Sequence, residues 1–392
     1  MQLFDDIQRT ELRPKYESES EFEYHNTSAR AGVAAYRAVV EQWFDNYPEA
    51  HKSDLRARYR SRTQSDHFGA FFELYLHQLL LACCYRVDVH PAVAGTSNRP
   101  DFLVQDHNGA RCYVEAVLAS CPSKEAESAG RRATKVYDCL NQMNSPNFFL
   151  AVHVAGTPAT SPPGTNLRRD LERWLARLDP DAISQLYAED RREEVPRFQW
   201  DHDGWSMEFE PIPKSPLSRG KRGVRPVGMR VPEARWMNTA GEIRKAIKSK
   251  ASRYGRSNHP FVVCVNILDW TDNVDVLNAL LGDEQTVVSF AGDKVVGEEA
   301  ARAKNGAFGW EGHPRSTRVS GVVVARGVAP FTMGKVNPEL FHHPWAHVEL
   351  PIGFWPMPQW LVNRQERRLE RISGKSAWSM LGLPDPWPAS FD

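Results

Sequence analysis

Apolar residues recur at helical spacing through the first part of the chain. The segments "ARAGVAAYRAVVEQWFDNYP" and "HKSDLRARYRSR" have this spacing and predict a helical N-terminal region. A stronger helix is predicted from about Asp66 to Cys84, where Glu73 and His77 lie one turn apart on its flank. The wide apolar stripe of this helix consists of Phe68, Phe71, Phe72, Tyr75, Leu76, Leu79 and Leu80.

Three short β-type segments follow this helix. They are "YRVDVHPAV", "RPDFLVQ" and "ARCYVEAVLA", with an Asn108-Gly109 turn signal between the last two. A helix from about Lys124 to Met143 and the apolar strand "NFFLAVHVAG" come next. The predicted order is therefore helix, three strands, helix, strand.

The rest of the chain alternates helical and β-type patterns. A Pro-rich linker, "GTPATSPPGTN", precedes the helix "LRRDLERWLARL" and a hairpin that turns at Asp203-Gly204. The pair "TAGEIRKAIKSKASRYG" and "HPFVVCVNILD" predicts another helix and strand, and "VSGVVVAR" a later strand. We predict an α/β protein with four regions: a helical region at 1–64, a core at 65–156, an α/β extension at 157–330 and a Trp/Pro-rich region at 331–392.

Composition places the chain among folded globular proteins. Hydrophobic residues make up 41% of its 392 positions, and no apolar run approaches the roughly 20 residues that span a bilayer. The N-terminus has no secretory signal pattern, and the six cysteines form no CxxC pair. We expect a soluble cytoplasmic protein with reduced thiols and no membrane partner.

Two carboxylates lie on neighbouring predicted strands in "RPDFLVQDHNGARCYVEAV", which runs from Arg99 to Val117. Together with Glu73 on the preceding helix, Pro100-Asp101 and Glu115 resemble the motif of the PD-(D/E)XK nuclease superfamily. The resemblance covers roughly residues 66–156. It implies a restriction-endonuclease-like mixed-sheet core and metal-dependent hydrolysis of phosphodiester bonds, with restriction or anti-phage defence as a compatible role.

The residue types fit that chemistry. Phosphodiester hydrolysis needs a divalent cation that polarises the phosphoryl oxygen and lowers the pKa of the attacking water. Magnesium prefers oxygen ligands, commonly one or two carboxylates, so Asp101 and Glu115 suit Mg²⁺ or Mn²⁺. Glu73 would assist by holding a water molecule or a second ion.

The two carboxylates form one site only if the hairpin places them on the same face. A two-residue turn would set Asp101 opposite Ala116 and separate it from Glu115, because side chains alternate between the faces of a strand. A three-residue loop over 108–110, with a bulge at its glycine, would set Asp101 opposite Val117 and unite the carboxylates. We predict the bulged loop. It also creates an apolar face consisting of Phe102, Val104, Val114, Ala116 and Leu118.

Val117 stands where the superfamily motif has lysine. This puts catalysis in doubt unless another element supplies the lysine side chain. The candidates, in order of preference, are Lys135 on the following helix, Lys124, and Lys250 on the later basic helix.

Basic residues are concentrated between Lys214 and Arg256, although the whole chain has 49 basic and 49 acidic residues. Such a segment suits contact with a phosphate backbone, and Trp236 and Tyr254 could stack on bases. A solvated helix face is an equally good interpretation of its lysines. The predicted nucleic-acid contacts are Lys221, Arg222, Arg225, Lys245, Lys248, Lys250 and Arg253.

Three histidines in "FHHPWAHVE" give a weaker alternative. His342, His343 and His347 could bind zinc, but structural histidines packed near Trp345 fit this Pro-containing segment better.

The leading hypothesis is a magnesium-dependent nuclease acting on nucleic acid, with DNA preferred over RNA. The alternative is a catalytically inactive, nuclease-like module that binds nucleic acid or a protein. Both leave a homodimer or a partner protein open.

Overall fold

The structure is a computed structural model that describes residues 1–119, 124–220, 225–232, 238–255, 257–269, 271–291, 294–363 and 368–388. Its helices are α1 (Glu21–Thr27), α2 (Ala31–Asp45), α3 (Glu49–Tyr59), α4 (Gln64–Ala82), α5 (Lys124–Asn141), α6 (Gly164–Leu175), α7 (Pro180–Ala188), α8 (Thr239–Ala251), α9 (Asn273–Leu281) and α10 (Ala377–Met380). Its strands are β1 (Arg86–Val89), β2 (Phe102–Gln105), β3 (Arg111–Ala119), β4 (Phe148–Gly156), β5 (Phe198–His202), β6 (Trp205–Pro213), β7 (Val227–Pro232), β8 (Phe261–Ile267), β9 (Glu284–Ala291), β10 (Lys294–Arg302), β11 (Gly309–Trp310), β12 (His313–Pro314), β13 (Gly321–Arg326), β14 (Glu339–His342), β15 (Gln359–Asn363) and β16 (Arg368–Ile372).

The chain forms two compact units, and the second interrupts the first in sequence. The first unit contains residues 1–13, 20–121 and 238–392, and the second contains 14–19 and 122–237. This division differs from the predicted core at 65–156, because α5 and β4 belong to the second unit. The basic segment 214–256 is likewise divided, and only its part from residue 238 onward belongs to the first unit.

An eight-stranded mixed sheet organises the first unit, in the order β1-β2-β3-β8-β13-β14-β15-β16. Strands β1, β2 and β3 pair antiparallel, whereas β3, β8 and β13 are parallel. Every residue of β8 is buried, as expected for a central parallel strand. The predicted order of helix, three strands, helix, strand therefore exists, but α8 and β8 complete it instead of α5 and β4.

The second unit has its own four-stranded sheet, in the order β5-β6-β4-β7. The predicted hairpin is confirmed, since β5 and β6 pair antiparallel around Asp203 and Gly204, which both have positive φ. Helices α5 and α6 contribute Val136, Leu140 and Leu167 to a core of their own.

Two helices sandwich the part of the sheet that carries Asp101 and Glu115. The predicted stripe of α4, except for the half-buried Phe68, is buried in one core with the apolar face of β2 and β3, which includes Phe102, Val104 and Val114. Helix α8 packs on the other face through Ile243 and Ile247. None of the helices in the described ranges has the length and apolar character needed to cross a bilayer.

The loop between β2 and β3 has the predicted odd length but a different position. Asp106 pairs with Ala110, and the N–H of Gly109 donates to the Asp106 carbonyl at 3.1 Å, so the loop consists of residues 107–109. Gly109 has a φ of +86°, as a bulge of this type requires. The side chain of Asp106 accepts hydrogen bonds from the N–H groups of Asn108 and Ala110, which fixes the turn one residue earlier than predicted.

The register changes accordingly. Phe102 pairs with Val114, and Leu103 pairs with Tyr113 instead of Glu115. Extending this register by one residue sets Asp101 opposite Glu115, not opposite Val117. The shift is two residues, so the face of every side chain is preserved and the two carboxylates do share a face.

Candidate active site

Asp101 lies at the point where β2 begins and its pairing with β3 ends. Its Oδ2 accepts a hydrogen bond from the backbone N–H of Ala116 at 2.7 Å. Its Oδ1 has no hydrogen-bond partner among the described residues. Burial raises the pKa of the Asp101 carboxyl well above its usual range, and the negative charges of Glu115 and Glu73 raise it further. This position therefore has an excess of negative charge.

Glu115 is 2% exposed and is held by three donors from the end of α8 and the turn after it. Its Oε1 lies 2.5 Å from Nζ of Lys250 and accepts from Nη1 of Arg253 at 3.3 Å. Its Oε2 accepts from the hydroxyl of Tyr254, whose pKa is raised by burial and by this hydrogen bond. A carboxylate has about four acceptor positions, so about one remains for a further ligand.

Glu73 is the third carboxylate, and α4 carries it towards Asp101. Its Oε1 accepts from the hydroxyl of Tyr47 at 2.6 Å, and its Oε2 lies 2.8 Å from Nη1 of Arg58. Nε2 of His90 is 3.6 Å from Oε1. Burial of Glu73 is thus compensated by one hydrogen bond and one ion pair, which keep its carboxylate in a defined position.

A cavity of about 320 Å³ opens beside these groups. Its polar lining comes from Arg58, Glu73, Asp101 and Lys250. The wall consists of Ser65, Gly69, Phe72, Ala116, Val117 and Leu118. Glu115 is buried next to the cavity and is connected to it by the ammonium group of Lys250. The cavity is the place where a phosphate group and a cation could enter between the acidic and basic side chains.

Lys250 is the lysine that the structure brings to the carboxylates. It was the third choice from sequence, after Lys135 and Lys124, and no residue spacing distinguishes the three. Lys124 and Lys135 both lie on α5 in the second unit, where Lys135 lines a different cavity with Cys139 and Asn166. Val117 is partly buried against the apolar residues of α8, so the motif position itself carries no charge.

The other predicted nucleic-acid contacts separate into three groups. Lys245, Lys248 and Arg253 are exposed on or just after α8, in the first unit. Arg225 belongs to the second unit, where its guanidinium donates to the carbonyl of Lys15 at 2.5 Å. Lys221, Arg222 and Trp236 lie outside the described residues. The face of α8 opposite its lysines is buried as predicted, through Ile243, Ala246 and Ile247.

The C-terminal histidines do not converge. His342 hydrogen bonds to Gln359 at 2.7 Å, and His343 to the carbonyl of Arg315 at 2.7 Å. His347 bonds to Thr317 at 2.9 Å. Across the ranges that the structure describes, no group of three His, Cys, Asp or Glu side chains is arranged to hold a metal. A magnesium ion needs only one or two protein carboxylates, and the hard oxygens of Asp101 and Glu115 fit that requirement.

Four residues of the site carried no motif signal in the sequence. Tyr47 and Arg58 come from the N-terminal helical region and orient Glu73. His90 lies at the end of β1 with a φ of +49°. Tyr254 was predicted only to stack on bases, and no motif indicated its hydrogen bond to Glu115. No family model, curated protein or solved structure matches this chain.

Proposed function

We propose that the first unit is a metal-dependent nuclease that hydrolyses phosphodiester bonds, as the resemblance to the PD-(D/E)XK superfamily implies. The observation that supports this most directly is the meeting of Asp101, Glu115 and Lys250 beside one cavity. These are two acidic residues and one lysine, contributed by three different elements. A merely structural ion pair would not require Asp101, whose ionisation is opposed by its neighbours.

Each side chain has a role in this proposal. Asp101 and Glu115 would hold Mg²⁺ or Mn²⁺, Asp101 through its free Oδ1 and Glu115 through its remaining acceptor position. The ion would polarise a phosphoryl oxygen and lower the pKa of a water molecule. Glu73, kept in place by Tyr47 and Arg58, would orient that water. Lys250 would neutralise negative charge that develops on the phosphate, which replaces the lysine missing at Val117.

A cleavage assay tests the proposal. Purified protein is incubated with single-stranded DNA, duplex DNA and RNA in the presence of Mg²⁺ or Mn²⁺, and products are separated by size. We expect cleavage of at least one substrate, and a decrease of about a hundredfold or more in Asp101→Asn and Glu115→Gln. Asp88→Asn is the matched control, because Asp88 is an exposed carboxylate of β1.

Thermal melting of each variant establishes that the fold is retained. Cleavage that persists in both Asp101→Asn and Glu115→Gln would contradict the assignment. If no substrate is cleaved but nucleic acid binds in a chelator, the chain is the inactive binding module instead. That alternative is supported by the three donors that already engage Glu115.

A further inference from the structure

A second cavity in the first unit is lined by Tyr254, the residue whose hydroxyl donates to Glu115. Its volume is about 300 Å³. Its lining includes the aromatic rings of Tyr113, Tyr254 and Phe261, of which Tyr113 is half-buried and the other two are buried. Its rim is polar and exposed, with Asn258, Arg318 and His347. The cavity thus combines aromatic lining residues with a hydrogen-bonding and partly cationic rim.

This cavity is directly connected to the candidate active site. Tyr254 donates from its hydroxyl to Glu115, while its ring meets Phe261 edge to face at 5.3 Å. Tyr113 precedes Glu115 by two residues on β3, so the two side chains lie on the same face of the strand. A ligand in this cavity would therefore lie beside Tyr254, which is hydrogen bonded to Glu115.

We propose that this cavity binds one unstacked nucleobase of a single-stranded nucleic acid, whose adjoining phosphate faces Lys250 and Arg253. The choice of a nucleic acid rests on the proposed function. Aromatic rings bind any base through its π face, and the amide of Asn258 can hydrogen bond to a base edge. Arg318 at the rim suits a phosphate, and no acidic residue is among the described residues that line the cavity.

The size of the cavity favours an unstacked base over a base pair. A volume of about 300 Å³ is at the lower end of the range for small-ligand pockets. Bases within a duplex are covered on both faces by their neighbours, so only a base in a single strand or one turned out of a helix can enter. The cavity consequently favours single-stranded substrates, or ends and loops, over uninterrupted duplex.

The test measures binding without cleavage. Fluorescence anisotropy in EDTA compares a single strand of twelve thymidines with a twelve-unit sugar-phosphate strand that has no bases. The measured quantity is the ratio of the two dissociation constants, which cancels general charge effects. We expect the wild type to prefer the strand with bases by about five- to one-hundredfold, the range typical of base stacking on one aromatic residue.

Substitutions then assign that preference to the cavity. Tyr113→Leu removes the ring but keeps an apolar side chain, and we expect it to lower the preference at least fivefold. Tyr113→Phe keeps the ring and should retain the wild-type ratio. Asn258→Leu, which replaces the amide at the exposed rim with an aliphatic side chain that cannot hydrogen bond to a base edge, should lower the preference even if Tyr113→Leu folds poorly. Competition with thymidine monophosphate distinguishes a strand from a free nucleotide, since a site for strands requires millimolar monophosphate.

The proposal is overturned if the wild type has no preference for bases, or if Tyr113→Leu and Asn258→Leu both keep the wild-type ratio. Its failure is distinct from failure of the nuclease assignment, because neither Tyr113 nor Asn258 contacts a carboxylate and no metal is present in the assay. Base binding without any cleavage would support the cavity and refute the nuclease.

Discussion

Nζ of Lys250 lies 2.5 Å from Oε1 of Glu115, although the two residues are 135 positions apart in the chain. The contact joins the C-terminal end of α8 to the middle of β3. In sequence, β3 precedes the inserted second unit and α8 follows it. Glu115 is buried, so this ammonium group supplies much of the charge compensation that burial of a carboxylate demands. The same group is the one that can reach a phosphate in the cavity.

Replacing Lys250 should therefore impair catalysis more than substrate binding. We expect Lys250→Met to lower kcat by about a hundredfold, with a much smaller change in KM, because the ammonium acts on charge that develops in the transition state. The measurement is steady-state cleavage of whichever substrate the wild type cuts. Lys248→Met is the control, since Lys248 is exposed on the same helix. Equal activities of the two variants would exclude Lys250 as the replacement for the lysine that is missing at Val117.

Two buried tyrosines, Tyr47 and Tyr75, should respond differently to loss of their hydroxyl groups. Tyr47 donates to Glu73, so Tyr47→Phe should lower the free energy of unfolding by about 1.5–3 kcal/mol, the range for a hydrogen bond to a charged group. Tyr75 is also buried, but its hydroxyl has no hydrogen-bond partner among the described residues. Tyr75→Phe should therefore be neutral or stabilising.

Urea denaturation of both variants and the wild type gives these free energies. A loss in Tyr75→Phe as large as that in Tyr47→Phe would mean that general packing, and not the contact with Glu73, determines the effect.

His77 should make stability depend on pH. Burial between Tyr47 and Phe102 lowers the pKa of His77 to about 4. Between the usual value of about 6.5 and pH 4 the unfolded chain binds a proton that the folded protein does not, so stability falls as the pH falls. Across this window the loss attributable to His77 is on the order of 3 kcal/mol.

We expect His77→Phe to lack this part of the pH dependence, so that its stability relative to the wild type increases as the pH is lowered from 7 to 4. Denaturant unfolding at several pH values measures the difference. His107→Gln, in the exposed loop between β2 and β3, should follow the wild-type curve. A constant difference between His77→Phe and the wild type would show that the imidazole is not kept neutral by burial.

Local patterns predicted much of the first unit. The stripe of α4 and the alternation in β2 and β3 are confirmed, because burial of one face imposes periods of 3.6 and 2 on the sequence. The common face of Asp101 and Glu115 followed from alternation together with the predicted three-residue loop. The register of β2 against β3 could not be predicted from alternation. It depends on the side chain of Asp106, which closes the turn one residue earlier than the Asn-Gly signal suggests.

Long-range pairing was not accessible from the sequence. Both β4 and β8 are apolar strands that follow a helix, so either could have been the neighbour of β3. The structure selects β8, all seven residues of which are buried, and this choice brings α8 and Lys250 to the carboxylates. Proximity in sequence favoured Lys135, but α5 belongs to the inserted unit and contributes to the core of that unit.

The position of the insertion also affects the order of events during synthesis. Strand β3 is complete at Ala119, but its neighbour β8 ends at Ile267, roughly 150 residues later. At 5–20 residues per second a ribosome needs about 7–30 s to produce that length. Throughout that interval the hydrogen-bonding edge of β3 that faces β8 lacks its native partner. An unpaired strand edge is a template for pairing with another chain, so this edge is exposed to that reaction until β8 has been made.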